Sequence, residues 1–389
     1  MITVAEAFSI LEKTIFYTKK ADVLLWDARN HVLAETIYSP IDMPPFRQSN
    51  MDGYALALHD SLKYTIKGEI KAGDVYVSII KPGDAVKIFT GAAVPDAAQA
   101  VIAIEKVSVL GNQLLLHEPV FEQANVRPKG SQILQNAVAL EKGTLLNTGA
   151  IGFLAGLGFT SVKVYRKPSV GIVITGSELQ SPGTPLQDGK VYESNGVMLK
   201  AALYDATFES VAIYSVNDDA ENTRETLKNA IDLNDVVLVS GGISVGDYDF
   251  VGSSLDSLGV ETLFHKVNQK PGKPLFVGQL NSKMIFALPG NPAAALTCFY
   301  IYVLPVLQKF AGIATGFNAT KEMSLALDFT VSNSRSQFLK AVAKDDVVTI
   351  LPHQDSSMLD SFALANALVY LPEGNYTKAQ GDKVAVYTI

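Results

Sequence analysis

The rhythm of apolar and polar positions changes several times along the chain. "MITVAEAFSILEKTIF" groups Ile10, Leu11, Ile15 and Phe16 on one helical face, and the pattern predicts helix to about residue 38. "SPIDMPPFRQSNMDGYALAL" follows, and its three prolines exclude a regular helix there. From 46 to 135, short runs such as "YTIKGEI", "KPGDAVKIFTG" and "AVIAIEKVSVLGNQLLLHE" alternate with glycine turns and predict a small β-domain. Helical spacing returns around Gly149–Leu157. From about 168, apolar strands ("SVGIVITG", "FESVAIYSV", "DVVLVSGG", "MIFALPG") alternate with helical segments ("NGVMLKAALYDA", "DDAENTRETLKNAIDL", "NPAAAL"). Strands apolar on both faces between helices predict an α/β domain with a parallel sheet. Ser194 or Asn195 reads as the N-cap of the first of these helices. After 315 the chain returns to short strands.

The fold class is therefore α/β plus β, in several domains. The expected division is a split helical or linker domain (1–45 and 136–167), an inserted β-domain (46–135), an α/β domain (168–315) and a C-terminal β-domain (316–389).

Composition narrows the function. Of 389 residues, 48% are hydrophobic and 18% charged, which describes a globular chain with a sizeable core. The net charge of -7 argues against a nucleic-acid binder, which needs a basic face. The single cysteine, Cys298, supports neither a disulfide framework nor a cysteine metal site and reads as core packing. The N-terminus lacks the form of a signal peptide. The longest apolar run, residues 293–307, is short for a membrane span and contains Pro305. A cytoplasmic protein without membrane attachment is expected.

Ligands of open α/β sheets bind beyond the carboxyl ends of the strands. Three such ends carry unusual loops: Thr175, Gly176, Ser177 and Glu178 in "ITGSEL"; "SGGISVGDYDF" from Ser240 to Phe250; and "LPGNPAAAL", where Asn291 can cap a helix whose first residue is Pro292. Each offers backbone N–H groups suited to phosphate or oxyanions; one such loop alone is more often only a turn, but three in one sheet point to a ligand. Neither the Walker pattern nor a placed G-x-G-x-x-G occurs. Glu178, Asp247 and Asp249 lie in or beside these loops as magnesium ligands, or as solvated carboxylates. Lys266, Lys270 and Lys273 in "HKVNQKPGKPLF" could hold a multiply charged oxyanion, or be a solvated loop. Arg47, Arg127 and Lys129 are further cations. Asp52–Gly53 and Thr90–Gly91 read, on chemistry alone, as turns.

In order, "NMDGYA", "IFTGAAVP", "ITGSEL", "SNGVML", "SGGISVGDYDF", "KPGKP" and "LPGNPAAA" resemble the molybdopterin molybdenumtransferases, the MoeA family, related to the E domain of gephyrin. The resemblance spans most of the chain. It implies an elongated four-part subunit, a central MogA-like molybdopterin-binding domain and a homodimer. It also implies a reaction: insertion of molybdenum from molybdate into adenylylated molybdopterin, with release of AMP and with Mg2+ as cofactor. The matching positions give Asp52, Thr90, Glu178, Asp218, Asp249, Lys266 and Lys270 as catalytic residues, with Asp52 and Thr90 supplied by the partner subunit. They give Thr175, Gly176, Ser240, Gly241, Gly242, Ser244, Gly246, Lys273, Pro289, Gly290, Asn291 and Pro292 as substrate-binding, and Glu178, Asp247 and Asp249 as metal-binding. Asp218 reads equally as a helix N-cap. A molybdopterin adenylyltransferase and apo-molybdoenzymes are the implied partners. The chain departs from the family pattern at Gln132, Lys340 and Asp247, and matches only loosely at Ser356. Two other readings are an adenylyltransferase, which needs the α/β domain alone, and a non-catalytic scaffold of the gephyrin type.

Overall fold

The computed structural model describes the chain except residues 15, 17–18, 76–78 and 244–249. The described residues form two compact units: Met1–Ala21 with Asn30–Val32 and Val164–Ile389, and Asp22–Arg29 with Leu33–Lys163.

Helix α1 (Val4–Lys13) opens the first unit. A capping box fixes its start: the Thr3 hydroxyl accepts from the Glu6 N–H, and the Glu6 carboxylate accepts from the Thr3 N–H at 2.7 Å. Val4, Ala7 and Leu11 recur at helical spacing and enter the main core. The helix stops at Thr14, whose backbone is extended and whose hydroxyl bonds the Ile10 carbonyl, instead of continuing to residue 38. Residues Lys20–Leu24 are a strand, so the periodicity had been read across a boundary.

Six strands form the central sheet: β1 (Val170–Thr175), β2 (Val211–Val216), β3 (Val236–Ser240), β4 (Glu261–His265), β5 (Phe276–Leu280) and β6 (Lys283–Leu288), in the order β2-β1-β3-β6-β5-β4. β2, β1, β3 and β6 are parallel, but β5 runs antiparallel to both neighbours, so the sheet is mixed. The reason is local. Only residues 281–282 separate β5 from β6, and Asn281 has φ 55°, which makes a hairpin and forbids a crossover. β1 and β3 are buried at every position. Their residues alternate between two cores: Ile172, Ile174 and Leu238 pack with α1, α2 (Asn195–Asp205) and the long core helix. Val173, Val237 and Val239 pack with α3 (Ala220–Leu233) and α4 (Phe250–Ser257).

The core helix α5 runs from Pro292 to Phe310. Its length and mean hydropathy of 1.4 would suit a membrane span, but 78% of it is buried inside the fold. Pro305 is tolerated because the helix widens to a π-helix over Phe299–Val303 just before it.

In the same unit, Lys321–Leu325, Ser336–Lys344, Val347–Ile350, Ala367–Leu371 and Lys383–Thr388 close on themselves, because Ser336–Lys344 pairs with Ala367–Leu371 as well as with Val347–Ile350. This small barrel buries Leu339, Ala341, Val348, Val369 and Val386. The short strand Gln269–Lys270 adds to it in parallel, Gln269 opposite Ser336.

The second unit is built on a separate six-stranded sheet that includes Gly53–Leu56 between Asp84–Ile88 and Ala100–Ala103. Gly53 is obligatory there. A Cβ at that position would lie 1.8 Å from the Ile102 carbonyl oxygen. Helix Thr148–Gly156 is capped by Asn147, which accepts from the Ala150 N–H.

Candidate active site

At the carboxyl ends of β1, β3 and β6 lies a cleft of about 930 Å³ within the first unit. Thr175, Gly176 and Glu178 come from the end of β1; Ser240, Gly241, Gly242 and Ile243 from β3; Pro289, Gly290, Asn291 and Pro292 from β6. These were the three loops selected in the sequence, and the sheet brings them together. Ser244, Gly246, Asp247 and Asp249 lie outside the described residues, so the metal assignment to Asp247 and Asp249 has no geometry here.

The glycines are required by close approach. Gly241 and Gly242 have φ of 92° and 63°, and a Cβ on Gly241 would come within 2.7 Å of the Thr175 carbonyl oxygen. The loop after β3 therefore lies against the end of β1.

Asn195 ties the loops together. Its Nδ2 donates to Ser240 Oγ at 2.7 Å and to the Gly290 carbonyl at 2.8 Å. The carbonyl is a pure acceptor, so the amide orientation is fixed, and Oδ1 is left buried without a partner. Neither Ser194 nor Asn195 caps α2 with its side chain, contrary to expectation; Glu193 does so, accepting from the Gly196 N–H at 2.7 Å. The Asn195 side chain is drawn instead to the cleft floor.

Asp218 is likewise not a helix cap. Asp219 caps α3 through the Asn222 N–H, while Asp218 Oδ2 accepts from the Ser177 N–H at 2.8 Å and its own N–H donates to Ser177 Oγ. This reciprocal pair pins the loop after β1. The Glu178 carboxylate beyond it is exposed and has no partner among the described residues.

The cleft carries charges of both signs, with Glu178, Glu193, Asp218 and Asp355 on its walls beside three cations. Lys270, Lys273 and Arg335 line it, and none has an ion-pair partner among the described residues. Three cations free of ion pairs among the described residues, beside turn glycines, can meet an anionic ligand. Lys266 is not among the residues lining this cleft; it has a left-handed backbone at φ 67°.

Comparison with known proteins shows the family. Family models match residues 2–158 as "MoeA N-terminal region (domain I and II)", 171–309 as "Probable molybdopterin binding domain" and 322–389 as "MoeA C-terminal region (domain IV)". A molybdopterin molybdenumtransferase of Staphylococcus aureus (strain MSSA476) is 34% identical over 377 residues, covering 94% of this chain and 90% of the relative. The chain belongs to the molybdopterin molybdenumtransferase family. One of Staphylococcus epidermidis (strain ATCC 35984) is 32% identical, covering 99% of this chain and 95% of that one. The crystal structure of a molybdopterin biosynthesis moea protein from Pyrococcus horikosii superposes with a TM-score of 0.84 at 29% identity, over 100% of this chain and 99% of that one. Similarity over the whole chain, not the α/β domain alone, disfavours the adenylyltransferase reading.

Other residues of this molybdenumtransferase-family chain fall as follows. In the second unit, the Asp52 carboxylate accepts from the Thr90 N–H at 2.8 Å and the Thr90 hydroxyl at 2.7 Å. The Thr90 N–H, and after it the hydroxyl, hold the Asp52 carboxyl below its ordinary pKa. Both residues are exposed. Arg47 spends its guanidinium on the Pro95 and Ala98 carbonyls, and Lys129 pairs with Asp42, so both have structural roles.

Sequence reasoning missed Arg335, which precedes a strand in a polar turn with no motif to mark it. Ser356, a loose match, and Lys340, a departure from the family pattern, both have defined contacts. Ser356 Oγ accepts from Asn291 Nδ2 at 2.7 Å, so Asn291 reaches across to the barrel loop and leaves its helix uncapped by a side chain. Lys340 is buried, and its ammonium donates to the His353, Asp355 and Met358 carbonyls, folding that loop toward the cleft. Burial pulls its pKa down while Asp360 and Asp355 oppose the shift. Gln132 is exposed in the second unit.

Proposed function

We propose that this protein inserts molybdenum from molybdate into adenylylated molybdopterin and releases AMP, a step of molybdenum cofactor biosynthesis. The observation carrying this reading is the cleft at three strand ends, lined by the glycine loops and by Lys270, Lys273 and Arg335, none of them in an ion pair among the described residues. The loops after β3 and β6 cradle phosphate and pterin. Lys270 and Lys273 stabilise negative charge as the anhydride to AMP breaks and the dithiolene sulfurs replace oxygens on molybdenum. Arg335, with its planar donor fork, suits an oxyanion.

Glu178 on the cleft wall is a hard oxygen donor of the kind Mg2+ takes. Glu178 would hold the ion, with Asp249 and Asp247 completing the set; no metal-binding group of three His, Cys, Asp or Glu residues occurs among the described residues. The ion would neutralise charge on the phosphoanhydride oxygens. In a homodimer, Asp52 and Thr90 would be supplied to the partner's cleft. A cytoplasmic location fits the single cysteine, which is free and buried.

The test is AMP release from adenylylated molybdopterin by the purified protein, with and without molybdate. Molybdate-dependent release is expected, falling at least about 100-fold in Lys270→Ala. Absence of release from the unaltered protein would sink the reading.

A further inference from the structure

Beneath the lysine loop lies a buried polar network that the reaction as described does not use. Gln269 is fully buried and Lys270 exposed, as alternation in a strand requires. Gln269 Nε2 donates to the Pro271 carbonyl at 3.0 Å and toward Cys298 Sγ at 3.7 Å. Its Oε1 accepts from the Tyr302 hydroxyl. The carbonyl fixes the amide orientation, so the hydroxyl must be the donor to Oε1.

Cys298 and Tyr302 are four residues apart on α5 and share one face. Tyr302 lies in the π-helical stretch, and such stretches are enriched at functional sites. Above them the loop rests directly on the helix. Gly272 has φ 92°, and a Cβ there would lie 2.5 Å from Cys298 Sγ and 2.7 Å from Gln269 Nε2. The loop thus has no freedom to sink, and Gln269 grips its carbonyl from below. Two cleft cations, Lys270 and Lys273, flank the gripped segment.

We propose that Gln269 and Tyr302 are positioning residues: from the core helix they set the Lys270–Lys273 loop in the conformation that binds the anionic part of the substrate. This rests on the reading of the cleft as the site of AMP-bearing substrate. A buried amide with both ends satisfied, joined to a helix through a single hydroxyl, holds a loop more rigidly than apolar packing would. Rigid placement of the two ammonium groups is what oxyanion binding requires.

The test measures AMP affinity of the full-length protein by calorimetry, alongside thermal melting. The variants are Tyr302→Phe, Gln269→Met, Lys270→Ala and Tyr214→Phe. The last removes a hydroxyl that accepts from Asn234 Nδ2, two residues before β3 and at the opposite end of the sheet. Tyr302→Phe and Gln269→Met should each weaken AMP binding about 5- to 30-fold, and the double variant should be little worse than either. Tyr214→Phe should lower the melting temperature without altering affinity. Unchanged affinity in Tyr302→Phe, with loss in Lys270→Ala, overturns the positioning role and leaves the site reading intact. If affinity instead tracks melting temperature through all variants, Tyr214→Phe included, the network is merely structural. No AMP binding by the unaltered protein, or no effect of Lys270→Ala, removes the site reading and this inference with it. Should Gln269→Met fail to fold, Tyr302→Phe decides the matter, since it deletes only one oxygen.

Discussion

Asn195 offers the sharpest test of how the cleft floor is held. Two changes of similar volume separate its roles. In Asn195→Leu, two hydrogen bonds are lost, each contributing about 1 kcal/mol net. Gly290 is exposed, so its carbonyl can be rehydrated, and the Ser240 hydroxyl can rotate. Opposing the loss, Oδ1 is buried without a partner in the native protein, and removing it returns about 1 kcal/mol or more. The net destabilisation should be about 1 kcal/mol. Asn195→Asp keeps the shape but aims a carboxylate oxygen at the Gly290 carbonyl and buries a charge. That should cost about 3 kcal/mol or more. Urea unfolding followed by circular dichroism gives the stabilities, and hydrogen exchange over residues 240–243 and 289–292 reports the loops. The aspartate variant should be the less stable of the two, with faster exchange in both loops. An aspartate variant as stable as the leucine one would refute the tie.

Two further outcomes follow from the packing. Gly53→Ala forces a methyl into the Ile102 carbonyl and should separate the strands Gly53–Leu56 and Ala100–Ala103, costing about 3 kcal/mol or more; melting indistinguishable from wild type would refute this. At the end of the central sheet away from the cleft, Asp235 accepts from Lys19 Nζ at 2.8 Å, from Ser169 and from Arg166. Burial alone would raise its pKa, but the Lys19 and Ser169 hydrogen bonds and the Arg166 charge outweigh it and bring it down to about 2. A depressed carboxyl stabilises the folded state above its unfolded pKa near ~4 and loses that contribution as pH falls through the folded value. Asp235→Asn should therefore cost about 2 kcal/mol at pH 7 and about half that at pH 3, measured as the difference in denaturant midpoint. A pH-independent difference would show that the carboxylate charge is not responsible.

The α/β alternation and the three strand-end loops were legible because buried parallel strands leave continuous apolar runs and the loops carry more glycine than a turn needs. The antiparallel strand β5 was not, because its direction depends on a two-residue hairpin rather than on hydrophobic pattern. Asn195 looked like a cap because it sits at a helix start. Its role depends on Ser240 and Gly290, far away in sequence. Arg335 and Ser356 reach the cleft only because the barrel packs beside the α/β layers within one unit, and no local periodicity encodes that adjacency.

The short strand Gln269–Lys270 has a consequence for biosynthesis of the protein itself. It leaves the α/β layers and completes its pairing on Ser336–Gln337, a segment that leaves the ribosome much later. Lys270 comes into register with Gln337 only once that strand has been made, so this wall of the cleft is among the later parts to form. A nascent chain carrying the whole central sheet but not the barrel would have a fold without a competent cleft. Ligand capture is thereby deferred until the barrel strands have been made.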